Sequence, residues 1–165
     1  MTRTRTIRNR MMALTVVAVL LLPALISPAW GESPLSRGQS LYVPVYSHIY
    51  SGDKERPVYL AVTVSIRNTD AAQAIQVTAV DYYNSEGQRL HRYLDKPILL
   101  PPMATTRYVV KESDKTGGSG ANFIVRWQSE NPVNPPLVES IMISTASQLG
   151  ISFVSRAVPI TTTKP

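Results

Sequence analysis

Large apolar residues alternate with polar or smaller ones along most of the chain, and the alternation is sharpest in Phe123-Ile124-Val125-Arg126-Trp127-Gln128. Side chains on a strand point to opposite faces with a period of two, so Phe123, Val125 and Trp127 share one face and Ile124 and Arg126 the other. This strand is the expected centre of the domain. A first strand is expected over 41–50, with Leu41, Val43, Val45 and Ile49 on one side and Tyr42, Pro44, Tyr46, His48 and Tyr50 on the other. Pro44 cannot donate to a ladder, which places this strand at a sheet edge or puts a break in it. A second strand, 58–67, carries Leu60, Val62, Val64 and Ile66 on its apolar face, and its β-branched residues favour strand over helix.

Further strands are expected over 75–83, 89–94, 98–100, 105–111, 137–145 and 151–158, separated by turn residues such as Asn84-Ser85-Glu86-Gly87. The phase blurs at Val80-Asp81-Tyr82-Tyr83, which calls for a bulge near Asp81. Short strands without helices between them predict an all-β, antiparallel, immunoglobulin-like β-sandwich. It has no disulfide, because the chain contains no cysteine. One domain over 41–160 is expected, after a flexible leader at 32–40 and before a frayed tail at 161–165.

Residues 1–31 have the order of a secretory signal: Arg3, Arg5, Arg8 and Arg10, then an apolar run from Met11 to Leu22, then Ala29-Trp30-Gly31 at the cleavage position. The run falls short of the roughly 20 apolar residues that span a bilayer and is followed by Pro23 and Pro28. Cleavage after Gly31 and export to the periplasm or beyond are therefore expected, with no membrane span left afterwards. The cut also changes the charge. The whole chain has 17 Lys+Arg against 11 Asp+Glu, but four arginines lie in the signal, leaving thirteen against eleven, or +2. A nearly balanced chain lacks the basic stripe that nucleic-acid binding needs.

The strings Leu41-Tyr42-Val43-Pro44-Val45-Tyr46-Ser47-His48-Ile49-Tyr50, Val80-Asp81-Tyr82-Tyr83, Tyr93-Leu94-Asp95-Lys96-Pro97 and Gly117-Gly118-Ser119-Gly120-Ala121-Asn122-Phe123 together resemble a bacterial family of exported proteins catalogued as a domain of unknown function. The resemblance covers about 41–159. It implies export and no established activity, so it transfers no site.

Candidate chemistry is sparse. Gly117-Gly118-Ser119-Gly120 has neither the Gly-x-Ser-x-Gly spacing of a nucleophile elbow nor the Gly-Lys-Ser/Thr ending and following helix of a phosphate loop. A turn with positive φ angles is its ordinary explanation. Asp81, Asn84, Glu86 and Asp95 supply hard oxygens near one hairpin that would suit calcium, but they lack EF-hand spacing, and turn and strand-end solvation is the favoured reading. No catalytic residue, metal ligand or cofactor is assigned. Tyr42, Tyr46, His48 and Tyr50 form the most informative polar stripe, suited to a sugar, a peptide or another protein, or else to the buried face of the sandwich. The expected work is non-covalent binding or scaffolding in the envelope, with a protein, peptide or glycan partner. The alternative is an envelope hydrolase or metal-binding protein with a site near Asp81 and His91, which requires those two side chains to share a pocket.

Overall fold

The structure, a computed structural model, describes residues 34–144 and 150–161. The expected signal segment and the last four residues of the tail lie outside the described residues. Among these, twelve strands and no helix are present: β1 (Ser36–Pro44), β2 (His48–Ser51), β3 (Arg56–Tyr59), β4 (Ala61–Arg67), β5 (Ile75–Tyr83), β6 (Arg89–Arg92), β7 (Ile98–Leu100), β8 (Thr105–Val110), β9 (Asn122–Val133), β10 (Leu137–Ser144), β11 (Ile151–Arg156) and β12 (Val158–Pro159). The protein is all-β, and every strand pairing is antiparallel.

The larger sheet runs β12-β1-β9-β5-β6, and β7 pairs with the beginning of β5 while β6 pairs with its end. A four-stranded sheet runs β11-β10-β4-β8, and β2 and β3 form a separate ribbon. Alternation decides what each sheet buries. Val43, Val80, Phe123 and Val125 from the larger sheet join Val62, Val64, Ile66 and Met142 from the smaller one in a single apolar cluster. Burying each such side chain contributes about 1.5–3 kcal/mol, so this cluster is the main source of stability. Tyr82 stacks on Phe123 with ring centroids 4.9 Å apart, a geometry worth about 0.5–1.5 kcal/mol beyond the buried area.

Two expectations about the first strand need correction. It begins at Ser36 rather than Leu41, so residues 36–40 are strand and not a loose leader. Polar composition hides this pairing, in which Gly38, Gln39 and Ser40 lie opposite Gln128, Trp127 and Arg126. Glycine at 38 permits the approach, since a Cβ there would sit 2.8 Å from the Trp127 carbonyl oxygen. The strand also stops at Pro44 instead of continuing to Tyr50, which is the break expected at the proline, and it lies between β9 and β12, the latter pairing only with Leu41 and Tyr42. Beyond the proline, the Val45 and Ser47 amides bond to the carbonyls of Ala121 and Gly118, each at 3.0 Å, and the chain then re-forms a strand with β3.

Candidate functional site

The break at Pro44 divides the stripe expected to run through Tyr42, Tyr46, His48 and Tyr50. Tyr42 stays on β1, opposite Ile124 on one side and Val158 on the other. Tyr46 falls in the break and meets the edge of Phe153 at 5.9 Å. His48 and Tyr50 move to β2, where His48 Nε2 lies 3.2 Å from the Tyr50 hydroxyl. Burial still alternates through the break, with Val45 and Ser47 buried, but Tyr46 packs against the core and His48 and Tyr50 belong to the separate ribbon, so the four residues are divided among three elements.

A different set of residues converges on the outer face of the larger sheet. Val80 and Tyr82 point into the core, which turns Asp81 outward, and Asp81 pairs across the sheet with Ile124 and Arg92. The ladder slips between Val77 and Ala79 on one side of β5 and between Tyr82 and Tyr83 on the other, bracketing the position where the sequence phase blurs. Asp81 is nevertheless 0% exposed. Arg126 Nη2 donates to its Oδ2 at 2.9 Å, and Arg92 Nε donates to its Oδ1 at 3.3 Å. A buried carboxylate is tolerated only when paired and hydrogen-bonded, and here both oxygens have a guanidinium. Both arginine side chains keep about half their surface in solvent, 44% for Arg126 and 56% for Arg92.

His91 pairs with Tyr82, and Arg92 pairs with Asp81. His91 therefore lies on the other side of the sheet from Asp81, and the two do not share a pocket. His91 instead meets Tyr93 edge-on at 4.5 Å and lines a groove of about 420 Å³ with Lys111 and Asp114. Burial pushes the Tyr93 hydroxyl above its ordinary pKa, with smaller contributions from Tyr82 and Asp114. The remaining oxygens near the hairpin are dispersed: Asn84 Oδ1 accepts from the Gln88 amide at 2.7 Å, and Glu86 and Asp95 are exposed. Among the described residues, no three His, Asp or Glu side chains are grouped so that they could hold a metal ion.

The same outer face carries a cleft of about 460 Å³, lined by Arg37, Gln73, Gln76, Gln128, Glu130 and Asn131. Its cause is a bulge. Ser36 faces Val133 and Gly38 faces Gln128, so two steps along β1 are matched by five along β9, and residues 129–132 bow out of the ladder. Pro132, which has no N–H to donate, falls within that bow. Gln128 Nε2 donates to Gln76 Oε1 at 2.7 Å, and Asn131 Nδ2 donates to Gln73 Oε1 at 3.3 Å. Each amide pair is fixed by one bond and keeps a donor and an acceptor for a ligand. Arg126 is two residues from Gln128 on the same face, roughly 7 Å along the strand, so cleft and arginines form one surface.

The glycine-rich segment serves structure. Ser85 Oγ donates to the Gly117 carbonyl at 3.1 Å and accepts from the Gly120 amide at 2.9 Å. Gly118 has φ +79°, and Gly117 lies against the buried pair formed by Ser47 Oγ and the Tyr82 hydroxyl, 3.0 Å apart. The segment thus clamps the β5–β6 turn to the chain between β1 and β2.

Fold and surface together define an all-β, antiparallel protein with a polar cleft and an arginine pair on one sheet face. The chain belongs to the family described as "Protein of unknown function (DUF3124)", whose model matches residues 38–160. No curated protein matches it. A solved structure titled "Crystal Structure of Thermotoga maritima 1070" is similar at a TM-score of 0.43 and 8% identity, over 73% of this chain and 92% of that one.

Proposed function

We propose that this is an exported, non-catalytic binding module of the periplasm or cell envelope, built as an immunoglobulin-like sandwich. Its binding surface is the outer face of the larger sheet. The observation that carries this reading is the 460 Å³ cleft with its paired side-chain amides, continuous with two arginines held by a buried carboxylate. Such a surface is partly preorganised, because hydrogen bonds join its amides and a buried carboxylate holds its arginines before a ligand arrives. The sandwich reading draws support from two antiparallel sheets contributing to one apolar core. Export draws support from the basic start, the apolar run and Ala29-Trp30-Gly31. Asp81 and His91 lie on opposite sides of their sheet, which gives the hydrolase reading no geometric support.

Two measurements test the proposal. N-terminal sequencing of the exported protein should begin at Glu32 or within a few residues of it, and an intact Met1 in a membrane fraction would defeat export. Thermal unfolding of the purified protein should then be followed with fractionated envelope polysaccharides and peptides. A ligand at one hundred times its Kd stabilises the native state by about 2.7 kcal/mol. The stabilising fraction should lose its effect on a Gln76→Leu/Gln128→Leu variant. If no fraction stabilises the protein, or the variant responds like the parent, the cleft is not a binding site.

A further inference from the structure

The arginines beside the cleft have a charge that the fold itself does not use up. Asp81 is one carboxylate facing two guanidiniums, and the register adds Arg89 opposite Tyr83 at the next step of the same face. At the cleft, Arg37 is balanced by Glu130 as a lining residue. The surplus positive charge is therefore centred on Arg92 and Arg126. Each guanidinium has five N–H donors in a planar fork and spends one of them on Asp81, so both keep donors directed outward from half-exposed side chains. Rigid strands hold the pair, and the buried carboxylate fixes the two forks relative to each other.

We propose that this face binds an acidic polysaccharide, with a carboxylate or phosphate of the chain on Arg92 and Arg126 and its hydroxyls in the amide cleft. The inference rests on the reading of the cleft as a binding surface and names its ligand class. Three features favour a glycan. A hydroxyl both donates and accepts, which suits side-chain amides that keep one group of each kind. An extended peptide gains most of its affinity by adding to an open strand edge, whereas at Gln76, Asp81, Arg126 and Gln128 the strands β5 and β9 are paired on both sides and offer only side chains. Tyr42, in register with Ile124 and Asp81, and Tyr83, one step beyond Asp81, are half-buried on this face and present ring surface for sugar C–H groups. From Asn122 to Asn131 the face extends roughly 30 Å along β9, the scale of a chain rather than of one sugar.

The test measures binding of the purified protein to polygalacturonate, a phosphorylated mannan, neutral dextran, and vesicles of equimolar phosphatidylcholine and phosphatidylglycerol. One or both acidic polymers should bind at least about tenfold more tightly than dextran, as charge-assisted bonds to paired arginines require. Their affinity should fall with added NaCl as the Debye length shortens. Which acidic polymer binds identifies the anion as carboxylate or phosphate. Arg92→Gln, which leaves Asp81 paired with Arg126 and removes the surplus positive charge, should lose about tenfold of the acidic-polymer affinity. If that variant does not fold, Asp81→Asn/Arg92→Gln/Arg126→Gln, which removes both guanidiniums and strands no buried carboxylate, should show the same loss. Acidic polymers binding no better than dextran, folded arginine variants binding like the parent, or vesicles binding while both polymers do not would each overturn the inference. Dextran binding that is lost in Gln76→Leu/Gln128→Leu but not in the arginine variants would leave the cleft reading standing and remove this one.

Discussion

Asp81 illustrates an asymmetry between the members of a partly buried ion cluster. Its carboxylate is enclosed, whereas Arg92 and Arg126 reach solvent over about half their surface. Removing the carboxylate leaves two cations that water can reach, and removing both cations leaves an anion that it cannot. Arg92→Gln/Arg126→Gln should therefore cost about 3–5 kcal/mol, the range for stranding a buried charge. Asp81→Asn should cost only about 1 kcal/mol, the scale of an ordinary hydrogen bond. Urea denaturation midpoints read the difference, and equal costs would mean that Asp81 is solvated after all. Gly117 shows the steric counterpart. A Cβ on it would collide with the Tyr82 hydroxyl and lie 2.6 Å from Ser47 Oγ, forcing apart two groups that satisfy each other in the interior. Gly117→Ala is expected to destabilise by about 1–3 kcal/mol through overpacking. Gly117 is not at positive φ, so this cost is steric alone, whereas alanine at Gly87, with φ +77° and nothing within 4 Å, meets backbone strain and no collision.

Among the elements, the turn between β4 and β5 is held by side chains standing in for a sheet. The two N–H donors of Asn68 Nδ2 are shared among the carbonyls of Gln73, Leu100 and Pro101, while Asp70 Oδ1 accepts from the Ala72 and Gln73 amides and its Oδ2 from that of Asn134. Those three amide bonds, Ala72 first, hold the Asp70 carboxyl below its ordinary pKa. A folded carboxyl that releases its proton more readily than the unfolded one gives stability that is complete above the unfolded value, about 3.9, and is lost as pH falls through the lower folded value. The stability gap between the protein and its Asp70→Asn variant should thus be widest near neutrality and close in that acid window. A gap independent of pH would show that the charge contributes nothing. What the sequence discloses at this scale follows from range. β4 is legible because Val62, Val64 and Ile66 are spaced by two and all buried, and β9 because Phe123, Val125 and Trp127 are likewise. The beginning of β1 is not, because Ser36 to Ser40 are strand only by virtue of a distant partner. The arginine pair is hidden for the same reason, its members standing 11 and 45 residues from Asp81. The bulge that opens the cleft depends on a register that no local pattern encodes, although Asn131-Pro132 marks where regular pairing fails.

At the scale of the whole molecule, stability depends on a core made jointly by two sheets, and Trp127 reports on it. It is 3% exposed, faces inward between Gln39 and Val77 in register, and belongs to the common apolar cluster. Its indole N–H has no hydrogen-bond partner among the described residues, and the ring contributes through area and packing. Trp127→Ala should cost about 3–5 kcal/mol, as for other large core aromatics. A domain of this size has only about 5–15 kcal/mol in total, which makes the alanine variant marginal. Trp127→Phe keeps an aromatic ring in the same core position. It should therefore be much the milder change. The chain has two tryptophans, Trp30 and Trp127. Cleavage after Gly31 would leave Trp127 as a single-site probe, with native emission blue-shifted and moving red on unfolding. Water-exposed native emission together with a fully stable alanine variant would place the Phe123, Val125 and Trp127 face outside. The Ile124 face, and with it the cleft and the arginines, would then be the interior.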